Sequence, residues 1–180
     1  MRFLQLFFVL MPCYCFSQAD SIVEYSRLEK MIMQPGSFVR INTETLGFVG
    51  NLGIGAITSL DINNSKKQRS VCFITGNNFS SIVFSPTNLH IDIEELIPFI
   101  NALTKMKEAV ESKNTNGLQT YQYISSNLTV LSLGNRIANQ AEWDIIIYKR
   151  YKYLSAIVTG TTFFLKGKDI VELIDVFSPL

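Results

Sequence analysis

The chain has few of the residues that cross-link a fold or carry catalysis. Its 180 residues include three cysteines, one histidine and one tryptophan. Cys13 and Cys15 lie in an N-terminal segment that we expect to be removed, so only Cys72 remains. A lone cysteine excludes an intramolecular disulfide, and packing must stabilise the fold instead. Cys72 lies in a strand-like run, where it is interpreted as a small buried side chain.

A net charge is almost absent as well. Sixteen Lys and Arg residues stand against 15 Asp and Glu residues, a formal net charge of +1. Removal of Arg2 with the N-terminal segment leaves the processed chain neutral. Nucleic-acid binders usually carry a basic excess that neutralises phosphates. The charge balance therefore argues against nucleic acid as a partner.

The N-terminus has the three-part pattern of a secretory signal peptide. One basic residue precedes the apolar run Phe3–Met11, and the small, polar segment Ser17–Ala19 follows it. The run is shorter than the ~20 residues that a membrane-spanning helix needs. Pro12 directly before Cys13 does not fit a bacterial lipoprotein site. We expect a signal peptide over residues 1–19, a secreted or periplasmic protein, and no lipid anchor or transmembrane helix after processing.

A short phrase occurs twice in the sequence. Asp92–Ile97 and Asp169–Ile174 agree at five of six positions, at a spacing of 77 residues. Each copy follows strand-like sequence and begins a helix-like run. This internal repeat predicts a tandem duplication, in which four antiparallel strands and a helix (ββββα) occur twice and pack as one pseudo-twofold α+β domain.

Local patterns divide the processed chain further. Residues 20–36 are predicted to form an N-terminal helix and linker, residues 37–112 the first unit, and residues 113–180 the second. The polar stretch Glu111–Gly117 separates the units. Alternating apolar residues predict eight strands: Phe38–Ile41, Ile54–Ile62, Arg69–Thr75, Phe79–Phe84, Leu118–Ile124, Leu128–Leu133, Trp143–Tyr148 and Leu154–Leu165.

The repeated phrase has a structural interpretation. Asp92 and Asp169 are expected to cap their helices, and a glutamate three residues later completes a capping box. Pro98 predicts a kink or a delayed helix start. The apolar positions predict two buried stripes: Ile93, Leu96, Ile97, Ile100 and Leu103 in the first helix, and Ile170, Leu173, Ile174 and Phe177 in the second.

The predicted order of elements resembles the doubled strands-plus-helix topology of the Whirly and Pur-alpha families of nucleic-acid binders. The resemblance covers topology alone, because none of the residues by which those families hold nucleic acid can be matched here. It implies a doubled α+β fold, in which helices cross over the strands or the two sheets pack on each other. A neutral, exported chain gives no reason to transfer the function.

The strongest surface candidate for ligand binding is the segment Tyr148–Tyr153. Three aromatic side chains (Tyr148, Tyr151, Tyr153) are interleaved with three cations (Lys149, Arg150, Lys152). Such a segment can stack on rings while its cations hold an anion. The alternative is a hairpin tip whose lysines protect a sheet edge from aggregation.

Catalytic motifs are not evident. Gly47, Gly50, Gly53 and Gly55 match no phosphate-binding loop and are interpreted as turn and bulge glycines. His90 is expected in a turn near Asp92, without the further ligands of a metal site. Neither a metal nor a cofactor is predicted.

These patterns predict a non-enzymatic binding protein whose partner is a protein, a glycan or a lipid-like ligand. Two alternatives remain open: a small exported hydrolase-like enzyme that uses carboxylates with His90, and an oligomerising structural subunit.

Overall fold

The computed structural model describes residues 24–75, 89–112, 117–136, 141–152, 157–178 and 180. The predicted signal peptide and the predicted strand Phe79–Phe84 lie outside these ranges. The side chains of residues 151–161 are also outside the description.

The described residues form an α+β fold with two antiparallel sheets, each followed by a helix. The sheets have the strand orders β1-β2-β3-β4 and β5-β6-β7-β8. Short 3-10 turns at Ile93–Glu95 and Gly167–Asp169 precede the second and third helices. The elements are α1 (Arg27–Ile32), β1 (Val39–Val49), β2 (Leu52–Asp61), β3 (Lys67–Thr75), β4 (Leu89–Asp92), α2 (Leu96–Glu111), β5 (Thr120–Ile124), β6 (Thr129–Asn135), β7 (Trp143–Lys152), β8 (Ile157–Lys166) and α3 (Ile170–Phe177).

Seven of the eight predicted strands overlap an observed strand, and the eighth lies outside the described residues. β4 was not predicted, because its four residues carry no alternation long enough to be recognised. His90 therefore lies in a strand, where it pairs with Cys72, and not in a turn.

Gly50 and Gly47 of the first hairpin have the predicted turn and bulge roles, whereas Gly53 and Gly55 are paired positions within β2. Gly50 has φ +57° in the turn between β1 and β2, a conformation that glycine adopts without steric cost. The β1–β2 register shifts between Thr45 and Gly47, which marks a bulge. A Cβ at Gly47 would lie 2.9 Å from Val176 Cγ2, so this position also permits α3 to approach β1.

One apolar core lies between the sheets and the two long helices. Its centre is aromatic: the Phe99 ring of α2 lies 6.0 Å from that of Phe73 in β3, 5.6 Å from that of Phe177 in α3 and 5.7 Å from that of Tyr123 in β5. The helix of each unit thus contacts the first strand of the other, α2 on β5 and α3 on β1.

The predicted capping boxes at the repeated phrase are wrong. Asp92 and Asp169 stand at helix entrances, yet neither side chain caps its helix. Asp92 Oδ2 instead accepts a hydrogen bond from the backbone N–H of Arg27 (2.9 Å), and Asp169 Oδ2 accepts one from that of Lys166 (2.9 Å). A 3-10 turn separates Asp92 from α2.

The predicted delay of the first long helix is confirmed, and one member of its stripe is not. α2 begins only at Leu96, which places Pro98 in its first turn, where a missing N–H breaks no helical hydrogen bond. Ile97 is 71% exposed and does not belong to the buried stripe. Its place is taken by Phe99, which is fully buried.

The two units correspond at a spacing of 74 residues, three fewer than the repeated phrase indicates. Both the 3-10 turns and the helices that follow them begin 74 residues apart, Ile93 against Gly167 and Leu96 against Ile170. Each of the eleven residues 94–104 is buried, half-buried or exposed in the same way as the residue 74 positions later, in the range 168–178. Relative to the helices, the repeated phrase is therefore displaced by three residues, almost one helical turn, between the two units. A common ancestry of the two units stays a prediction.

Candidate functional site

Lys149 of the predicted ligand-binding segment is not at the surface. Tyr148, Lys149 and Arg150 belong to β7, so this part of the segment continues a strand and is not a hairpin tip. Lys149 is 0% exposed, while Tyr148 and Arg150 are half-buried. The side chains of Tyr151, Lys152 and Tyr153 lie outside the described residues, and ligand binding by the segment stays a prediction.

Strand geometry explains why Lys149 is buried. Successive side chains of a strand point to opposite faces. Trp143, Ile145 and Ile147 point into the core, and Lys149 continues their series at the end of the buried face. A register shift between Tyr148 and Arg150 adds a bulge at this point on the β8 side. The alternation of residues 143, 145 and 147 in the sequence already indicated that position 149 faces inward. Because Lys149 is charged, it was interpreted as a surface residue instead.

The partner of Lys149 comes from α1. This helix begins with a capping box in which Ser26 Oγ accepts from the Glu29 N–H (3.1 Å) and Glu29 Oε2 accepts from the Ser26 N–H (2.7 Å). Glu29 Oε2 also lies 3.9 Å from Lys149 Nζ, and both side chains are buried. The pattern Ser-x-x-Glu signals such a helix start. The sequence prediction placed the start near Asp20 and missed it.

His90 and Asp92 complete a buried cluster of ionisable groups beneath α1. Both lie in β4 and are almost fully buried, and both interact electrostatically with the charge of Lys149. Within the described ranges, Lys149 Nζ, Glu29 Oε1 and Asp92 Oδ1 have no hydrogen-bond partner. We call the residues Glu29, His90, Asp92 and Lys149 the buried ionic cluster.

Burial drives all four members of this cluster toward their neutral forms. It raises the pKa of Glu29 and of Asp92 against the lowering effects of Lys149 and of the Arg27 N–H, respectively. It lowers the pKa of Lys149, although Glu29 opposes the shift. Burial, assisted by the positive charge of Lys149, lowers the pKa of His90 to about 3. His90 is therefore a neutral imidazole at physiological pH.

Hydrogen bonds extend this cluster to the second sheet. The carbonyl oxygen of His90 accepts from Asn127 Nδ2 (2.8 Å) and from Thr129 Oγ1 (2.9 Å). Glu95 Oε1, at the start of α2, accepts from the Ser126 N–H (2.8 Å). The turn between β5 and β6 thus covers the outer edge of β4. We call these contacts together with the buried ionic cluster the polar joint.

The polar joint brings acid and base groups together in the interior of the described part of the chain. Surface depressions of about 480, 370 and 170 Å³ are lined by other residues, including Trp143, Arg136 and Lys30, respectively. No group of three or more His, Cys, Asp and Glu side chains in the described ranges is arranged to hold a metal ion.

Cys72 is buried, as predicted, and Trp143 is buried as well. Cys72 lies among apolar neighbours, and burial raises the pKa of its thiol to about 12. It is therefore not a reactive thiolate at physiological pH.

The edge strand β1 is exposed to solvent along most of its length. Residues 40–45 are exposed on both faces of the sheet, and β1 pairs with β2 alone. The neighbouring β2 is, by contrast, mostly buried on both faces. An edge strand of this kind presents unpaired backbone N–H and C=O groups to solvent.

Comparison with protein-family models, with curated proteins and with solved structures gives no match to this chain. In the described ranges, none of the helices has the length and apolar composition of a membrane span.

Proposed function

We propose that this protein is a non-enzymatic, secreted or periplasmic binding protein that pairs an extended polypeptide strand with its β1 edge. The observation that carries the proposal is the exposure of residues 40–45 on both faces of the outermost strand. Main-chain hydrogen bonds of an edge strand recognise another polypeptide, and the exposed side chains on its two faces add selectivity. This recognition favours a protein partner over a glycan or a lipid-like ligand.

Two of the three other edge strands, β4 and β5, support the choice of β1. The turn at residues 125–129 donates hydrogen bonds to β4 through Asn127 and Thr129. β5 is short, and α2 packs against it through Phe99 and Tyr123. β4 is thus partly covered by the chain itself and β5 has five residues, whereas β1 has eleven. The side chains of the fourth edge strand, β8, are described from residue 162 onward.

The alternative of a hydrolase-like enzyme rests on His90 and neighbouring carboxylates. A general acid or base must reach the proton that it transfers. His90 is fully buried beneath α1, and the carboxylates of Glu29 and Asp92 are almost as deeply buried. These positions favour a structural use of the groups. The export part of the proposal rests on the sequence pattern of residues 1–19 alone.

Edge recognition can be tested with short peptides selected against the full chain from a display library. A selected peptide, titrated into isotope-labelled protein, is expected to shift the amide resonances of Arg40–Thr45. A matched peptide that is N-methylated at alternate residues keeps its side chains but loses main-chain donors, and its affinity is expected to fall at least tenfold. Equal binding of both peptides, or shifts confined to other strands, would contradict the proposal.

A further inference from the structure

We propose that the strand that pairs with β1 belongs to a second copy of this chain, arranged antiparallel about Asn42. This inference rests on the proposed use of the β1 edge and names its partner. A twofold interface brings the same surface of both copies together, so the strand must be complementary to itself.

The shape of β1 selects the centre of such a pairing. The strand begins at Val39, and the bulge between Thr45 and Gly47 ends its regular part. The regular stretch is therefore Val39–Thr45, and its middle residue is Asn42. Two copies that use this whole stretch meet in the register that places Asn42 opposite Asn42.

This register pairs opposite charges. Arg40 of one copy lies directly across from Glu44 of the second copy, and the same contact occurs again on the other side of the twofold axis. Both side chains lie on one face of the sheet, because their β2 partners Leu60 and Ala56 are an even number of residues apart. Directly opposite charges stabilise a strand pair.

The charges that would meet are available in the free chain. Arg40 makes no ion pair with another described residue, and Glu44 has only an exposed contact of 3.7 Å with Arg69. Exposed pairs of this kind contribute little to stability, so Glu44 can face a second cation at small cost.

The remaining pairs of the register are also compatible. Ile41 lies opposite Thr43, and Val39 lies opposite Thr45, which places β-branched side chains against each other. A shift that centres the pairing on Arg40 or on Glu44 would bring like charges together at the axis. Such like-charge pairs are destabilising, so the sequence of β1 disfavours these registers.

The size of the contact indicates a weak dimer. Seven paired residues extend over about 24 Å of strand. A single added strand buries less surface than the roughly 1,200–2,000 Å² of a stable interface. We therefore expect a dissociation constant in the micromolar range, about 10 to 500 µM.

Sedimentation of the full chain between about 1 µM and 1 mM tests the inference. The native chain is expected to change from monomer to dimer over this range. Arg40→Glu gives two acidic side chains per edge and Glu44→Arg gives two basic ones, so each variant alone is expected to associate at least tenfold more weakly. An equimolar mixture of the two variants restores opposite pairs and is expected to form a heterodimer.

Lys105→Glu and Glu108→Lys on the exposed side of α2 provide controls with the same changes in net charge. They are expected to dimerise like the native chain. A native chain that stays monomeric at about 1 mM, or a mixture that does not associate, would overturn the inference. If that monomer still binds selected peptides at Arg40–Thr45, the proposed edge recognition stands and only the identity of the partner is wrong.

Discussion

Two regions hold the first and second units together by opposite physical means. The aromatic joint consists of Phe73, Phe99, Tyr123 and Phe177. Its packing is apolar and does not depend on the pairing of specific atoms. The polar joint places charged and hydrogen-bonding groups at defined distances. It joins Glu29 of α1 to Lys149 of the second unit, and His90 of the first unit to Asn127 and Thr129 of the second. Apolar burial is favourable wherever the side chains fit, whereas a buried charge costs free energy unless its partner is in place. The aromatic joint should therefore supply stability, and the polar joint should fix the relative position of α1 and the sheets.

Removal of the central ring is expected to have the largest effect. Phe99 is fully buried and contacts three other aromatic rings. Phe99→Ala should lower the free energy of unfolding by about 3–5 kcal/mol, because it loses apolar burial and leaves a cavity. Urea denaturation measures the loss. Ile97→Ala on the exposed side of the same helix is the control, with an expected change within about 0.5 kcal/mol. If Phe99→Ala and Ile97→Ala lower the free energy of unfolding by similar amounts, the aromatic joint is not a main source of stability.

Breaking the buried ion pair is expected to cost somewhat less. Lys149→Ala leaves Glu29 buried without its cation and should lower the free energy of unfolding by about 3 kcal/mol. The double variant Glu29→Gln/Lys149→Met removes both charges, and its glutamine can still accept the capping hydrogen bond from Ser26. We expect it to recover most of the loss in the same denaturation assay. A double variant as unstable as Lys149→Ala would mean that the charges themselves contribute net stability.

The smallest of the three effects is a dependence on pH. In the folded chain the pKa of His90 is lowered to about 3, whereas the unfolded chain binds a proton near pH 6.5. Between these values the unfolded state binds more protons, so stability rises with pH and is lost as the pH falls. The His90 contribution should decrease by about 2 kcal/mol between pH 7 and pH 5.

The raised pKa values of Glu29 and Asp92 act in the opposite direction, since the folded chain holds their protons more tightly. The measurement is therefore the difference in unfolding free energy between the native chain and His90→Gln, which keeps both carboxylates. A difference that does not vary between pH 7 and pH 5 would show that His90 does not titrate on unfolding.

Much of the aromatic joint could be predicted from local patterns. Alternation identified the strands that contain Phe73 and Tyr123, and helical periodicity placed Phe177 in a buried stripe. Phe99 was missed because the predicted stripe contained Ile97 instead, although Leu96, Phe99 and Leu103 also have helical spacing. The repeated phrase misled because its two copies occupy positions three residues apart in their units.

The polar joint was missed although two of its signals are local. Ser26-x-x-Glu29 is a capping box, and Lys149 continues the inward alternation of Ile145 and Ile147. What no local pattern contains is that these two residues meet, because 120 residues separate Glu29 from Lys149 along the chain. The placement of His90 beside them depended on β4, a strand too short to be recognised.

The sequence by itself determined the class of fold and the approximate strand and helix positions, because alternation and helical periodicity act over a few neighbouring residues. The tertiary structure alone decided which charges are buried, which edge stays open and which residues of the two units correspond. These properties arise from contacts between distant segments, where the free energy of desolvation and the geometry of pairing outweigh local preference.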